Sequence, residues 1–370
     1  MEGINTEEIH CQGCGVLIQT ENQNEAGFAP KSALDREVVI CKRCFRLKHY
    51  NEVQDVALTD DDFLKMISQI RHNQGLIIKL VDIFDFNGSF ISGLQRLTGT
   101  NPIILVGNKV DLLPKSTNKN KLKQWLQMSA KELGLPVQDV FLISAYKGVG
   151  MERLKTAMEQ YRKRKDVYVV GSTNVGKSTF INQLINQSTG VNDAITTSYF
   201  PGTTLGFIEI PLDDKSSLFD TPGVINRTQV AHYISDEDLK VITPKKEIKP
   251  RVFQLNEKQT LFFGGLARID FEQGLRQSFV CYFSNELTIH RTKLDNADEL
   301  YRNHVGEMLK PPNQDTIAKL PPLRAHNFRV KGKTDIVFPG LGWVTLPDGE
   351  ATITAHSPEG VPVSIRSSLI

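Results

Sequence analysis

The sequence predicts a mixed α/β domain with a mostly parallel sheet and helices on both faces. A small metal-held module precedes it and a β-rich domain follows. Three observations predict this. Between residues 56 and 229, apolar β-branched runs alternate with amphipathic helical stretches, the pattern of parallel strands joined by crossover helices. Two Cys-x-x-Cys pairs lie in the first 50 residues. From 230 onward, short strand-like runs are broken by Gly and polar residues. The chain therefore divides into 1–55, 56–229 and 230–370.

Composition agrees. Hydrophobic residues make up 40% of 370, enough for two or three domains with real cores. The net charge of +2 confines any strongly basic surface to a local patch. No run of 18 apolar residues and no basic-then-apolar leader is present, so a soluble, cytoplasmic chain without a membrane segment is expected. Five cysteines in this length do not suggest a disulfide scaffold.

Cys11, Cys14, Cys41 and Cys44 form two Cys-x-x-Cys pairs separated by 26 residues. Each pair supplies two thiolates from one turn, and four suit a tetrahedral Zn²⁺. The metal would replace a core that so few residues can barely build. A redox Cys-x-x-Cys, or two unrelated pairs, are the alternatives; His10 could compete as a ligand, but four cysteines already close the site. Lys42, Arg43, Arg46, Lys48 and His49 crowd the second pair, fitting either a solvated basic face or a phosphate-contacting knuckle.

Residues 60–74 read as a helix with acidic residues at its N-terminus. Leu76–Asp82 and Ile103–Gly107 read as buried strands. The second ends in Asn108-Lys109-Val110-Asp111. A carboxylate at Asp111 can accept from guanine N1–H and the 2-amino group, a pair that adenine does not offer; Asn108 and Lys109 would brace the loop. A helix over 119–134 and a strand over 137–143 follow, ending in Ser144-Ala145, a second base-side loop. The helix 151–165 closes with the basic run 161–165, read as a solvated helix end, with nucleic-acid contact as the alternative.

Next comes a strand over 166–170, then Gly171-Ser172-Thr173-Asn174-Val175-Gly176-Lys177-Ser178, then a helix. This fits G-x-x-x-x-G-K-[ST] in its strand–loop–helix setting. Glycines let successive N–H groups face a phosphate, and the helix N-terminus adds positive potential. Gly171, Val175, Gly176 and Thr179 belong to this cradle. Lys177 would reach the β- and γ-phosphates, and Ser178 would offer its hydroxyl to Mg²⁺. Thr204, with Thr203 as fallback, is the expected switch threonine. In Asp220-Thr221-Pro222-Gly223, Asp220 would hold Mg²⁺ and the Gly223 N–H would reach the γ-phosphate.

The order is base loop, second base loop, phosphate loop, switch threonine, D-x-x-G. An unpermuted GTPase begins with the phosphate loop, so this chain reads as a circular permutation, joined at 151–166 and cut after Gly223. The permutation runs the γ-phosphate sensor directly into the C-terminal domain. There Asp295–Leu309 reads as a helix, and the runs at 251–283 and 326–367 as strands. Lys319, Arg324, Arg329, Lys331 and Lys333 form a stretch without acidic residues, fitting an RNA-backbone contact or a lysine-protected sheet edge. Cys281 reads as a core thiol.

The combination resembles the YqeH family of circularly permuted GTPases, which includes the nitric-oxide-associated proteins of organelles. The resemblance covers the whole chain. It implies a GTPase acting in assembly of the small ribosomal subunit, with ribosomal RNA as partner and GTP or GDP, Mg²⁺ and Zn²⁺ bound; a monomer is the simplest expectation. Nitric oxide synthesis is not implied, because no stretch reads as a haem or flavin site. Val224 follows the D-x-x-G, where many GTPases place a water-orienting Gln. Asn174 looks like the asparagine with which potassium-activated GTPases hold K⁺ beside the phosphates; a loop-capping role is the plainer account. The competing functional reading is an RNA-binding assembly protein that uses GTP as a conformational ligand with negligible turnover.

Overall fold

The computed structural model describes residues 9–12, 16–23, 25, 27–36, 38–50, 57–58, 67–68, 70–91, 93–187, 196–199, 206–221, 223–224, 226–347 and 349–370. Cys14, most of the helix expected at 60–74, and Thr203 and Thr204 lie outside them. The chain divides into two compact units: Met1–Ile83, Ser89–Val110 and Lys123–Ile225 form the first, and Phe84–Gly88, Asp111–Leu122 and Asn226–Ile370 the second. Among the described residues no helix is long and apolar enough to cross a membrane.

The first unit carries β1 (Ala57–Leu58), β2 (Gly75–Asp82), β3 (Ile103–Asn108), β4 (Asp139–Leu142), β5 (Asp166–Val170), β6 (Thr196–Tyr199), β7 (Gly206–Pro211), β8 (Ser217–Asp220) and β9 (Gly223–Val224). Seven of them form one sheet in the order β4-β3-β2-β5-β8-β7-β6. Neighbours from β4 through β8 pair in parallel, and β6 and β7 add antiparallel pairs at one edge. Apolar runs become central strands here because both faces are covered. Ile104 and Val106 share a core with Met151, Leu154 and Met158 of the helix Met151–Arg162, and with Phe180 and Ile181 of the helix Lys177–Gln187. On the opposite face of β3, a side chain at Gly107 would come 3.0 Å from Leu126 of the helix Lys119–Glu132. The mostly parallel sheet with helices on both faces is thus present, and with it the permutation. The strand that ends in N-K-x-D, β3, precedes in the chain the strand that leads into the phosphate loop, β5, the reverse of the unpermuted order.

Because β3, β4, β5 and β8 run in one direction, the loops that follow them emerge at one edge of the sheet. That is the edge where open α/β sheets place ligands. The helix expected over 151–165 ends at Arg162, and Lys163 and Arg164 turn the chain through positive φ into β5. The basic run is only partly a solvated end. Arg162 is buried; Nη2 meets Asp213 Oδ2 at 2.9 Å and Nη1 donates to Ser216 Oγ at 2.6 Å, both in the β7–β8 turn.

The second unit has two antiparallel five-stranded sheets. One orders β10 (Arg251–Leu255), β13 (Gln277–Phe283), β17 (Gly342–Leu346), β16 (Thr334–Phe338) and β19 (Ser364–Ser367). The other orders β14 (Ile289–Lys293), β11 (Gln259–Phe263), β12 (Ala267–Gly274), β18 (Glu350–Pro358) and β15 (Leu323–Lys331). Alternate residues of both, among them Phe263, Ile269, Phe271, Phe279, Cys281, Phe338, Val344 and Ile353, share one core. Cys281 is buried as expected. The helix expected over 295–309 is shorter, Ala297–His304, because Val305 is already extended.

Candidate functional site

The phosphate loop leaves β5 at Gly171 and enters its helix at Lys177. Asn174 stands at φ 64° and Gly176 at φ 84°. The left-handed conformation alone gives a reason for asparagine at 174, since its short polar side chain tolerates that region. Gly176 has a second reason. An added Cβ would lie 2.6 Å from Asn108 Nδ2 of the N-K-x-D stretch.

Asn108 joins three loops. It ends β3, is buried, donates from Nδ2 to Val175 O at 2.9 Å and accepts at Oδ1 from Ala145 N at 2.9 Å. One amide therefore fixes the phosphate loop and the Ser144-Ala145 loop together. Ser144 is buried and its Oγ accepts from Lys147 N at 3.1 Å, which closes its own turn. Lys109, also at positive φ, spans Asp82 Oδ2 at 2.7 Å and Asn174 O at 2.5 Å. Asp111 follows in the 3-10 turn Val110–Leu112, whose first N–H bonds to Ile143 O at 3.1 Å.

On the other flank Lys177, almost wholly buried, places Nζ 2.6 Å from Asp220 Oδ1. Thr221 Oγ1 donates to Val169 O at 2.7 Å, so the D-x-x-G stretch is seated on β5. A side chain at Gly223 would meet Thr173 at 3.2 Å. Val224 is part of the scaffold: Thr173 N donates to its carbonyl at 2.9 Å, and β9 pairs in parallel with β1. Ser178 is half-buried and Thr179 exposed at the start of the helix. The sheet edge thus brings together Asn108, Lys109, Ala145, Asn174, Val175, Gly176, Lys177, Asp220 and Gly223.

Sequence reasoning missed two members. Asp82, at the end of β2, braces Lys109. Arg43, read as part of a basic face or knuckle, is buried; its Nη2 lies 3.1 Å from Asp220 Oδ2. The only signal for Arg43 was its place between Cys41 and Cys44. Nearby in the sheet, Lys79 is wholly buried in β2, donates to Ser89 O at 3.1 Å, and has its ammonium pKa pulled down to about 7 by burial.

The Sγ atoms of Cys11, Cys41 and Cys44 lie within 4.8 Å of one another, and all three residues are buried. The Cys41 N–H points to Cys11 Sγ at 3.2 Å, the kind of donor that stabilises a thiolate. Convergent buried sulfurs with a backbone donor fit a soft-metal site. His10 is exposed and outside the cluster.

Comparison with known proteins gives two family matches. A model described as "50S ribosome-binding GTPase" matches residues 166–261, and one described as "YqeH-like, C-terminal" matches 276–369. The "Uncharacterized protein YqeH" of Bacillus subtilis is 60% identical over 365 residues, covering 98% of this chain and 100% of that protein. The "NO-associated protein 1, chloroplastic/mitochondrial" of Arabidopsis thaliana is 30% identical over 395 residues, covering 93% and 70%. The human "Nitric oxide-associated protein 1" is 24% identical over 522 residues, covering 98% and 75%.

Proposed function

Because this chain belongs to the YqeH family of circularly permuted GTPases and hydrolyses GTP, we propose that it is a cytoplasmic assembly factor for the small ribosomal subunit whose hold on ribosomal RNA follows its nucleotide state. Asp111 reads guanine. Lys177 and Gly223 meet the β- and γ-phosphates. Ser178, Thr204 and Asp220 would hold Mg²⁺, which would supply positive charge against the transferred phosphoryl group. Cys11, Cys14, Cys41 and Cys44 hold Zn²⁺. Val224 cannot orient water, and its backbone is committed to the phosphate loop, so unassisted turnover is slow. Asn174 would hold K⁺ beside the phosphates, supplying the positive charge that an arginine finger gives other GTPases.

The observation that carries the coupling is the meeting of two linkers at Gly223–Val224. The strand entering from the cysteine module, β1, pairs with β9, and β9 is bridged to the phosphate loop. Only Ile225 then separates Val224 from Asn226, which begins the C-terminal segment of the second unit. Within that unit, Asn226 Nδ2 donates to Gly88 O at 2.7 Å and Gln229 Nε2 to Asp85 Oδ2 at 2.6 Å. A γ-phosphate that orders Gly223 therefore acts on the roots of both flanking modules. Two linked weak RNA sites gain strongly from effective concentration. On β15, an edge strand, Arg324 pairs with Glu359 and Lys331 with Glu350, while Arg329 is exposed. The stripe thus serves partly as edge protection, and Arg329 is its chief candidate for RNA.

The test is filter or sedimentation binding to small- and large-subunit RNA with GDP and with a non-hydrolysable GTP analogue. Small-subunit RNA should bind more tightly with the analogue, by roughly 1–3 kcal/mol of coupling. Equal binding in both nucleotide states removes the coupling. Preference for large-subunit RNA overturns the choice of subunit. Turnover unchanged by added subunits favours GTP as a conformational ligand.

A further inference from the structure

Arg43 reaches the phosphate site from the cysteine module. Its neighbours Cys41 and Cys44 turn their sulfurs toward Cys11, so whatever holds the thiols also fixes the turn that carries Arg43. The Arg43 side chain is 7% exposed and Asp220 is 0% exposed. Arg43 Nη2 takes Asp220 Oδ2 at 3.1 Å, and Lys177 Nζ takes Oδ1 at 2.6 Å. Two buried cations thus face one carboxylate. Moreover, the buried Nε of Arg43 has no hydrogen-bond acceptor among the described residues. A buried cation with an unmatched donor is costly. A phosphate oxygen beside Lys177 would match that donor, and the planar guanidinium fork can hold Asp220 and a phosphate at once.

We propose that Arg43 is a γ-phosphate-binding residue supplied by the cysteine module within the same chain, so that this module forms part of the nucleotide site. This rests on the same phosphate site as the GTPase assignment. Nucleotide binding and docking of the module then support one another. A GTP analogue protects the helix Lys42–Tyr50 from hydrogen exchange more than GDP does, and loss of metal weakens the analogue more than GDP.

The experiment measures dissociation constants for a non-hydrolysable GTP analogue and for GDP with Mg²⁺, in wild type, Arg43→Gln, Arg43→Lys, Cys44→Ser and Lys177→Ala. Zinc content and exchange of residues 42–50 are followed in each. Arg43→Gln should keep its zinc and lose roughly tenfold to a hundredfold in analogue affinity, the range of a hydrogen bond to a charged group, with a smaller loss for GDP. Arg43→Lys, which keeps the charge but not the fork, should fall between. If Arg43→Gln loses its zinc, Arg43→Lys carries the test by the ratio of the two nucleotides. Cys44→Ser should reproduce the selective loss. Unchanged affinities in Arg43→Gln with zinc retained overturn the proposal. So does tighter analogue binding, which would make Arg43 a competitor of Mg²⁺ for Asp220. Lys177→Ala must lose both nucleotides; if it binds normally, the phosphate site itself is wrongly placed.

Discussion

Replacing Asn108 by Ala tests the idea that one buried amide holds the nucleotide loops in register. The change strands the Val175 carbonyl and the Ala145 N–H, both of which bond to Asn108 at 2.9 Å. Val175 and Ala145 are each 1% exposed and Asn108 is 2% exposed, so water does not readily replace the lost partners. Each of the two unsatisfied buried groups costs about 1–3 kcal/mol, giving a destabilisation of about 2–6 kcal/mol. Nucleotide affinity should fall at least tenfold, because the phosphate loop and the Ala145 loop no longer share a brace. Gly176→Ala sharpens the test. Its Cβ would lie 2.6 Å from Asn108 Nδ2. In the Asn108→Ala background that collision disappears and only the strain of positive φ remains, so the two changes should be less than additive. Urea denaturation and fluorescent-GDP titration of the four proteins complete the cycle. A loss below about 0.5 kcal/mol in Asn108→Ala, or strict additivity with Gly176→Ala, refutes the reasoning.

Four further outcomes are expected. Elemental analysis should find one Zn²⁺ per chain, and Cys41→Ser should unfold the N-terminal module while leaving the seven-stranded sheet folded, since structural zinc contributes roughly 10–16 kcal/mol in small modules; an absence of metal would sink this. Asp111→Asn should weaken GTP and favour xanthosine triphosphate, whose 2-oxo group accepts from an amide; wild-type hydrolysis of ATP alongside GTP would count against the base assignment. Turnover should rise when K⁺ replaces Na⁺ at matched ionic strength, and Asn174→Ala should abolish the difference; equal rates in the two salts leave no place for the cation. Lys79 has a folded pKa near 7 against 10.5 for the free side chain. The unfolded chain therefore binds the extra proton through that window, and stability rises with pH between the two values, by a few kcal/mol at most. Lys79→Met should flatten the slope of urea midpoints over this range, and an unchanged slope would show that Lys79 is charged in the fold.

The sequence by itself determined the GTPase parts and their order. The phosphate loop and N-K-x-D are short because they work through local backbone shape and one or two side chains, so residue type and spacing carry them. The permutation was legible for the same reason, since motif order belongs to the chain. Strand-forming runs of the C-terminal domain were legible from alternation, but their pairing as β10-β13-β17-β16-β19 and β14-β11-β12-β18-β15 was not. Pairing depends on which apolar faces can close over one core, and every run offers a similar face.

Tertiary structure alone decided which polar side chains meet. Asn108 finds the phosphate loop across 67 residues, Arg162 finds Ser216 across 54, and Arg43 finds Asp220 across 177. Their types were plain in the sequence, but an arginine in a basic run looks solvated until a carboxylate from a distant strand takes it out of water. Burial makes such partners consequential: desolvation punishes any unpaired charge, so contacts that only the folded sheet edge creates become the ones that hold the site.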